Sequence, residues 1–326
     1  GMRLFLLFLL SMLLATAETK HPDRLELVKK DLLDQGISIA RIETIFASSK
    51  AKEIDLKAVK LISDMSRIKK HRKAEKTANA SLLLKSALLK KHLKKYECFY
   101  DQVEEDFSVN REIVAAILQK ETALGAFKNY KYDAFVVLLN MLDRLELVEN
   151  PTPRHISRHK RLVQFAHNNL VALILHYEKL GKDVTQIELP SSYAGAMGIP
   201  QFTPQHFDMI QAPEGEKLCD ISFMPTAIYS TANLLKNRFG WKDLVDFSKL
   251  GRLDEIIEKW YDFDKGQANF VYDKNLDGIM VPNFVKTHEA DKDIAYVGDV
   301  VKVLMRYNFS TAYALGIIKI AKKSHE

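Results

Sequence analysis

The chain has 326 residues, 47% of them hydrophobic and 28% charged, with a formal net charge of +6. That is a globular composition, long enough for one large domain or two or three small ones. It holds two cysteines, Cys98 and Cys219, and neither their spacing nor their neighbours suggest metal ligation.

At the start, Arg3 precedes the unbroken apolar run "LFLLFLLSMLLA", which closes on Ala15-Thr16-Ala17. A basic residue, an apolar stretch and an A-x-A site together read as a secretory signal peptide over 1–17. The run is short for a membrane span, so an uncleaved anchor is the lesser reading. The protein is therefore expected to be periplasmic or secreted. An oxidising compartment would permit a bridge between Cys98 and Cys219, but two cysteines alone do not predict one.

From about His21 to Leu180 the pattern is helical. "RLELVKKDLLDQGIS", "ASLLLKSALLKKHLKKYECFYDQVEEDF" and "LVQFAHNNLVALILHYEKLG" all carry apolar residues at helical spacing, the last with Gly181 as a stop. Two basic runs, Arg67–Lys76 and Leu89–Lys95, read as solvated helix faces. Their functional alternative is attraction to a polyanion, which outside the cytoplasm means cell-wall polymer or an anionic membrane surface, not nucleic acid. Then comes "SSYAGAMGIPQFTP", Ser191–Pro204, too broken for a long helix and too apolar for a solvent loop. "MPTAIYSTANLLKNRFGW" is again helical, opening near Pro225 and closing at Gly240. A turn-rich, β-prone stretch at about 250–292 predicts a small β insertion. The chain finishes in the helical "YVGDVVKVLMRYNFSTAYALGIIKIAKK".

One segment suggests acid chemistry. In "NREIVAAILQKETALG", Asn110–Gly125, the residues Ile113, Ile117 and Glu121 are spaced by four and share one stripe of a helix. The carboxylate falls in the last turn before Gly125. Burial and the negative helix C-terminus both disfavour its ionised form, and no Lys or Arg occupies the stripe. A carboxylic acid kept protonated near neutral pH is what a general acid requires. The plainer reading is a helix-end Glu turned to solvent or paired with Lys120.

The combination of "KETALG", "SYAGAMGIPQF" about seventy residues later and "RYNFSTAYAL" near the C-terminus resembles the lytic murein transglycosylase B family. Weaker likeness surrounds "YDAFVVL" (132–138) and "STANLLKNRFGW" (230–241), so the resemblance covers roughly 95–245 and 296–322. It implies a mainly α (α+β) protein with a lysozyme-like catalytic core at 95–249. A helical N-terminal region at 18–94 precedes the core, the β insertion at 250–292 follows it, and the part at 293–326 completes it. It also implies cleavage of the MurNAc–GlcNAc β-1,4 bond of peptidoglycan with formation of 1,6-anhydro ends. Glu121 is then the acid and Ser192 the serine that hydrogen-bonds it. Gln201, Tyr307, Asn308 and Tyr313 hold the sugar, with Tyr193, Gly195 and Met197 completing the groove. Its glycines would let backbone approach a sugar ring closely. Met197 is equally readable as core.

Most glycosidases pair two carboxylates, and the three matching motifs offer no second acid. That favours a one-acid transglycosylase over a hydrolytic muramidase on the same fold. Retention of Glu121 and Ser192 argues against a catalytically weak wall-binding scaffold. Relatives often carry an acidic calcium loop after "PQF", whereas "QAPEGEKLCD" has acids only at Glu214, Glu216 and Asp220. "DKNLDG" (273–278) imitates the start of an EF-hand but reaches Phe284, not Glu, at the twelfth position. No metal or cofactor is therefore expected. The expected partners are peptidoglycan strands, with cell-wall synthesis proteins and the membrane surface as further candidates, and the protein is expected to be a monomer.

Overall fold

The computed structural model describes residues 18–128, 130–266, 269–275 and 278–326. The run read as a signal peptide, 1–17, lies outside the described residues. Among the described residues no helix is long and apolar enough to cross a membrane. Helices dominate among the described residues, and the strands there are two short antiparallel pairs of two or three residues each.

The chain divides into two units that interleave in sequence. The first holds the described residues up to Asp64 together with Asn129–Met197 and Gln201–Asp208. The second holds Met65–Lys128, Gly198–Pro200 and Met209–Glu326. These boundaries differ from the consecutive blocks expected from sequence, because the Arg67–Leu83 helix packs on Thr311–His325.

In the first unit the Ala134–Arg144 helix is the buried element, with Ala134, Phe135 and Leu138 fully enclosed. One carboxylate fixes its start. Asp133 Oδ1 accepts the N–H groups of Phe135 and Val136 at 3.0 and 3.2 Å, which caps the helix. Asp133 Oδ2 accepts from Leu189 N–H at 2.9 Å and meets the Lys50 ammonium at 2.8 Å. The same residue pairs with Pro190 in the small sheet Tyr132–Asp133/Pro190–Ser191. Against this helix lies Pro153–Lys179, which begins earlier than its apolar periodicity suggests. Thr152 and His155 form a reciprocal cap at its start, and Pro153 tolerates the first position because its missing N–H has no partner there anyway.

In the second unit the Arg111–Thr122 helix is buried on every side; Ile113, Val114, Ala115, Ala116, Ile117 and Leu118 have no exposure. A single apolar stripe is thus too narrow a reading of this helix, which is apolar all round and central. Thr311–His325 packs along it and along Arg67–Leu83, Ser86–Lys95 and Lys292–Tyr307. The stretch expected as one helical run over 80–107 is broken at Leu84-Lys85 and again at Tyr96. The second break has a visible cause. His92 Nε2 lies 2.6 Å from the Tyr100 hydroxyl, both buried, whereas eight residues of straight helix would part them by about 12 Å along the axis.

The expected β insertion is smaller than its span. Tyr272–Lys274 pairs with Met280–Pro282, while Leu253–Phe263 and Phe284–Thr287 are helical. An aromatic cluster of Trp260, Phe263, Phe270 and Phe284 anchors the hairpin. The final helical stretch is two helices, Lys292–Tyr307 and Thr311–His325. They are separated where Ser310 accepts the Tyr313 N–H as an N-cap.

Candidate functional site

Glu121 is the penultimate residue of the Arg111–Thr122 helix. Beyond it the chain turns sharply, with Ala123, Leu124 and Gly125 all at positive φ. Thr122 secures this turn: its hydroxyl donates to the Ile199 carbonyl at 2.7 Å and accepts from Gly125 N–H at 3.2 Å. The Glu121 side chain keeps some accessible surface, yet its carboxyl is desolvated enough to be pushed up to about 7. Burial is the dominant cause. Opposing it, the Tyr313 hydroxyl donates to Oε1 at 2.7 Å and favours the ionised form. The charge of Glu75 raises the value further, and that of Lys120 lowers it.

Lys120 does not pair with Glu121. It turns to Glu75 and to the side chain of Asn79. The solvent-facing, Lys-paired reading of Glu121 therefore fails, because Lys120 points to a different helix.

Tyr307 and Tyr313 join Glu121 in this unit. Both hydroxyls are pushed well above the ordinary tyrosine range, by burial first and by the neighbouring carboxylate second. They stay neutral donors. Tyr307 donates to the Pro200 carbonyl, and its ring meets Phe239 edge-on at 6.2 Å. Asn308 is exposed at the C-cap of the Lys292–Tyr307 helix.

Ser192, Tyr193, Gly195, Met197 and Gln201 belong to the first unit. Ser192 Oγ accepts the N–H groups of Ala194 and Ala196 at 3.2 and 3.1 Å, and its own N–H donates to the Ala196 carbonyl at 2.9 Å. Neither contact of the hydroxyl uses its proton, so Ser192 remains able to donate. Tyr193 is half-buried, and Gln201 is half-buried with its backbone left-handed, φ 54°.

Met197 is 9% exposed, and its backbone exchanges two hydrogen bonds with Phe202 at 2.9 and 3.0 Å. Gly195 has φ 82°, and a Cβ there would lie 3.1 Å from Leu138. In the second unit, a Cβ on Gly198 (φ 75°) would fall 2.6 Å from Ile221 Cγ1. Both glycines are thus required by the turn and by protein packing, not by a sugar's approach alone.

Sequence reasoning passed over Thr122, Glu75 and Asn79. Thr122 lay beside the acid and gave no spacing signal. Glu75 and Asn79 sit in "KAEKTANA", which reads as a solvated polar face, and Lys70, His71, Arg72 and Lys73 nearby are indeed exposed. Asn79 is nevertheless 6% exposed.

The residues present do not fit a calcium site. Asp220 Oδ1 accepts the Ser222 N–H at 2.8 Å, and Glu214 and Asp220 point into solvent. In "DKNLDG", Asp273 is held by Asn283 and Lys286, and Asn275 closes an ordinary turn onto Ile279; residues 276 and 277 lie outside the described residues. Among the described residues no three His, Cys, Asp or Glu side chains converge on a common point. Cys98 and Cys219 are both exposed and free.

The transglycosylase SLT domain family matches residues 20–322. A comparison with curated proteins finds no match. Among solved structures the fold is similar to SltB3 from Pseudomonas aeruginosa in complex with NAG-anhNAM-pentapeptide. The TM-score is 0.54 at 19% identity, covering 93% of this chain and 79% of that one. It is also similar to Escherichia coli Slt35 in complex with bulgecin A (TM-score 0.56, 15% identity, 93% and 92% covered). A third similar structure is SltB1 from Pseudomonas aeruginosa (TM-score 0.54, 19% identity, 93% and 98% covered). At these identities the structures speak for the fold, while the domain match spans nearly the whole chain. The chain belongs to the transglycosylase SLT domain family, the lytic murein transglycosylases.

Proposed function

We propose that this lytic transglycosylase cleaves the β-1,4 bond between MurNAc and GlcNAc in peptidoglycan and leaves a 1,6-anhydro-MurNAc end. The reading is carried by one observation: Glu121 is desolvated, held near pKa 7 and addressed by the Tyr313 hydroxyl at 2.7 Å. Such a group is protonated in a large fraction near neutral pH and can both give and take a proton.

The steps follow. Glu121 gives its proton to the bridging oxygen, the C1–O bond breaks, and GlcNAc leaves with its 4-hydroxyl. The substrate's own N-acetyl oxygen stabilises the electron-poor C1. The Glu121 carboxylate then takes the proton of the sugar's O6 hydroxyl while O6 bonds to C1. Glu121 ends as it began, and no water is consumed. Glu75, the other carboxylate acting on Glu121, is tied to Lys120 and not poised as a second nucleophile or base. Ser192 is proposed to orient the acid through its spare proton. Gln201, Tyr193, Gly195, Met197, Tyr307, Asn308 and Tyr313 are proposed to shape the sugar groove. SltB3 was crystallised with both NAG-NAM-pentapeptide and its anhydro counterpart, which supports glycan–peptide strands as the substrate here. A periplasmic or secreted location agrees with that substrate.

Mass spectrometry of muropeptides released by the pure protein tests this reading. The fragments should be lighter by one water than hydrolysis products and lack a reducing MurNAc end. Mainly hydrated, reducing ends would make the chain a hydrolytic muramidase instead.

A further inference from the structure

Behind the acid lies a second, buried polar group that no step above employs. Lys120 follows the same helix as Glu121 but points to another helix, and its side chain is only 5% exposed. Its ammonium pairs with Glu75, takes the Asn79 side-chain oxygen, and lies 5.5 Å from the centre of the Tyr313 ring. Asn79 is fixed in turn. Its Nδ2 donates to the Ala312 carbonyl at 2.9 Å, and the side chain fills the notch left by Gly316, where a Cβ would sit 2.3 Å away. The Arg67–Leu83 helix therefore grips Thr311–His325 at Ala312 and Gly316, on either side of Tyr313, whose hydroxyl addresses Glu121.

We propose that the Glu75–Lys120 pair, seated by Asn79, is a positioning device for the acid: it holds the Tyr313 ring and sets the pH range over which Glu121 works. This rests on the reading of Glu121 as the acid. A buried ion pair is a poor device for stability, since desolvation offsets most of its attraction, so its placement here calls for another role. Lys120 acts on Glu121 as a nearby positive charge and Glu75 as a negative one, in opposite directions. Intact, each charge opposes the other; broken, one acts on Glu121 alone.

Among the neighbouring titratable groups, Tyr261 bonds Asn79 and is pushed up by burial first and by Glu75 among other carboxylates, while those that follow have partners elsewhere. Burial pushes His92 of Ser86–Lys95 down to about 4, so it is neutral, and it bonds Tyr100. Glu104 and Asp101 hold Arg111 at the far start of the helix. Tyr229 of Met224–Asn237 donates to Asp106. On Thr311–His325, His325 meets Glu112 and Lys319 meets Asp254. Tyr307 of Lys292–Tyr307 faces Glu121 as a neutral hydroxyl.

The test is the pH profile of muropeptide release from insoluble peptidoglycan. Glu75→Gln leaves the Lys120 cation unbalanced, so the alkaline limb should move to lower pH by roughly a unit. Lys120→Met leaves Glu75 unbalanced, and the limb should move to higher pH by a similar amount. Lys120→Arg keeps the charge and should follow the wild type. If Lys120→Met does not fold, the carboxyl of Glu121 titrated by carbon-13 NMR in Glu75→Gln decides the matter. Limbs that stay in place, or move the same way in both variants, overturn the proposal. Glu121→Gln separates the two readings: wild-type turnover in that variant would remove the acid assignment itself.

Discussion

The hydroxyl of Tyr313 donates a 2.7 Å hydrogen bond to Glu121 across 192 residues of sequence. Two opposed effects meet in that contact. The bond favours the carboxylate, burial favours the acid, and burial wins, which leaves the group near 7.

Replacing Glu121 by Gln keeps the size and the acceptor for Tyr313 but removes the transferable proton. Turnover should fall by at least about 10²–10⁴-fold, the usual worth of a positioned acid, with the fold retained. Release of soluble muropeptides measures it; wild-type release would reject the assignment.

The same variant carries a separate stability signature. Glu121 titrates near 4.5 when unfolded and near 7 when folded, so between these values the native state holds more proton than the unfolded state. Its contribution is favourable below pH 4.5 and is lost as pH rises through 7, amounting to on the order of 3 kcal/mol. Glu121→Gln cannot ionise. Relative to wild type it should be more stable above pH 7, and the difference should close towards pH 4.5. Thermal melts across pH 4 to 9 check this, and a constant offset would contradict it.

Tyr313→Phe removes the donor to Glu121 and leaves the ring under Lys120. The carboxyl should become a weaker acid, shifting the alkaline limb of activity upward, with turnover reduced by roughly tenfold for one hydrogen bond to a charged group. A downward shift of the limb would show that the hydroxyl does not stabilise the ionised form.

Gly198→Ala should destabilise the fold by about 2–4 kcal/mol, combining a left-handed backbone with overpacking against Ile221. Urea unfolding reads it directly. An unchanged midpoint would mean that the turn relaxes freely.

EDTA should leave both turnover and melting temperature unaltered, since Glu214, Glu216 and Asp220 build no oxygen cage. A calcium-reversible fall in melting temperature would show a site there after all, because a ligand that binds only the native state stabilises it.

What the sequence made legible is local. Ile113, Ile117 and Glu121 repeat by four, and the glycines of "SSYAGAMGIP" announce a turn that packs tightly. What stayed hidden depends on partners distant in sequence. Nothing in "KAEKTANA" says that Asn79 is buried, because its burial is created by the notch at Gly316, 237 positions later. The break at Tyr96 was equally invisible, since no Gly or Pro marks it and only the His92–Tyr100 contact shows the bend. Polar side chains that satisfy one another inside a core look, in sequence, like polar side chains in water.

The distance along the chain between Glu121 and Tyr313 also has a consequence in time. A ribosome adds about 5–20 residues per second, so the tyrosine is made roughly ten to forty seconds after the glutamate. Until the Thr311–His325 helix arrives, Glu121 lacks the Tyr313 hydroxyl that addresses it. A half-made chain therefore carries no primed acid. The catalyst is armed by the same event that completes the fold, and a nascent or unfolded copy is chemically idle.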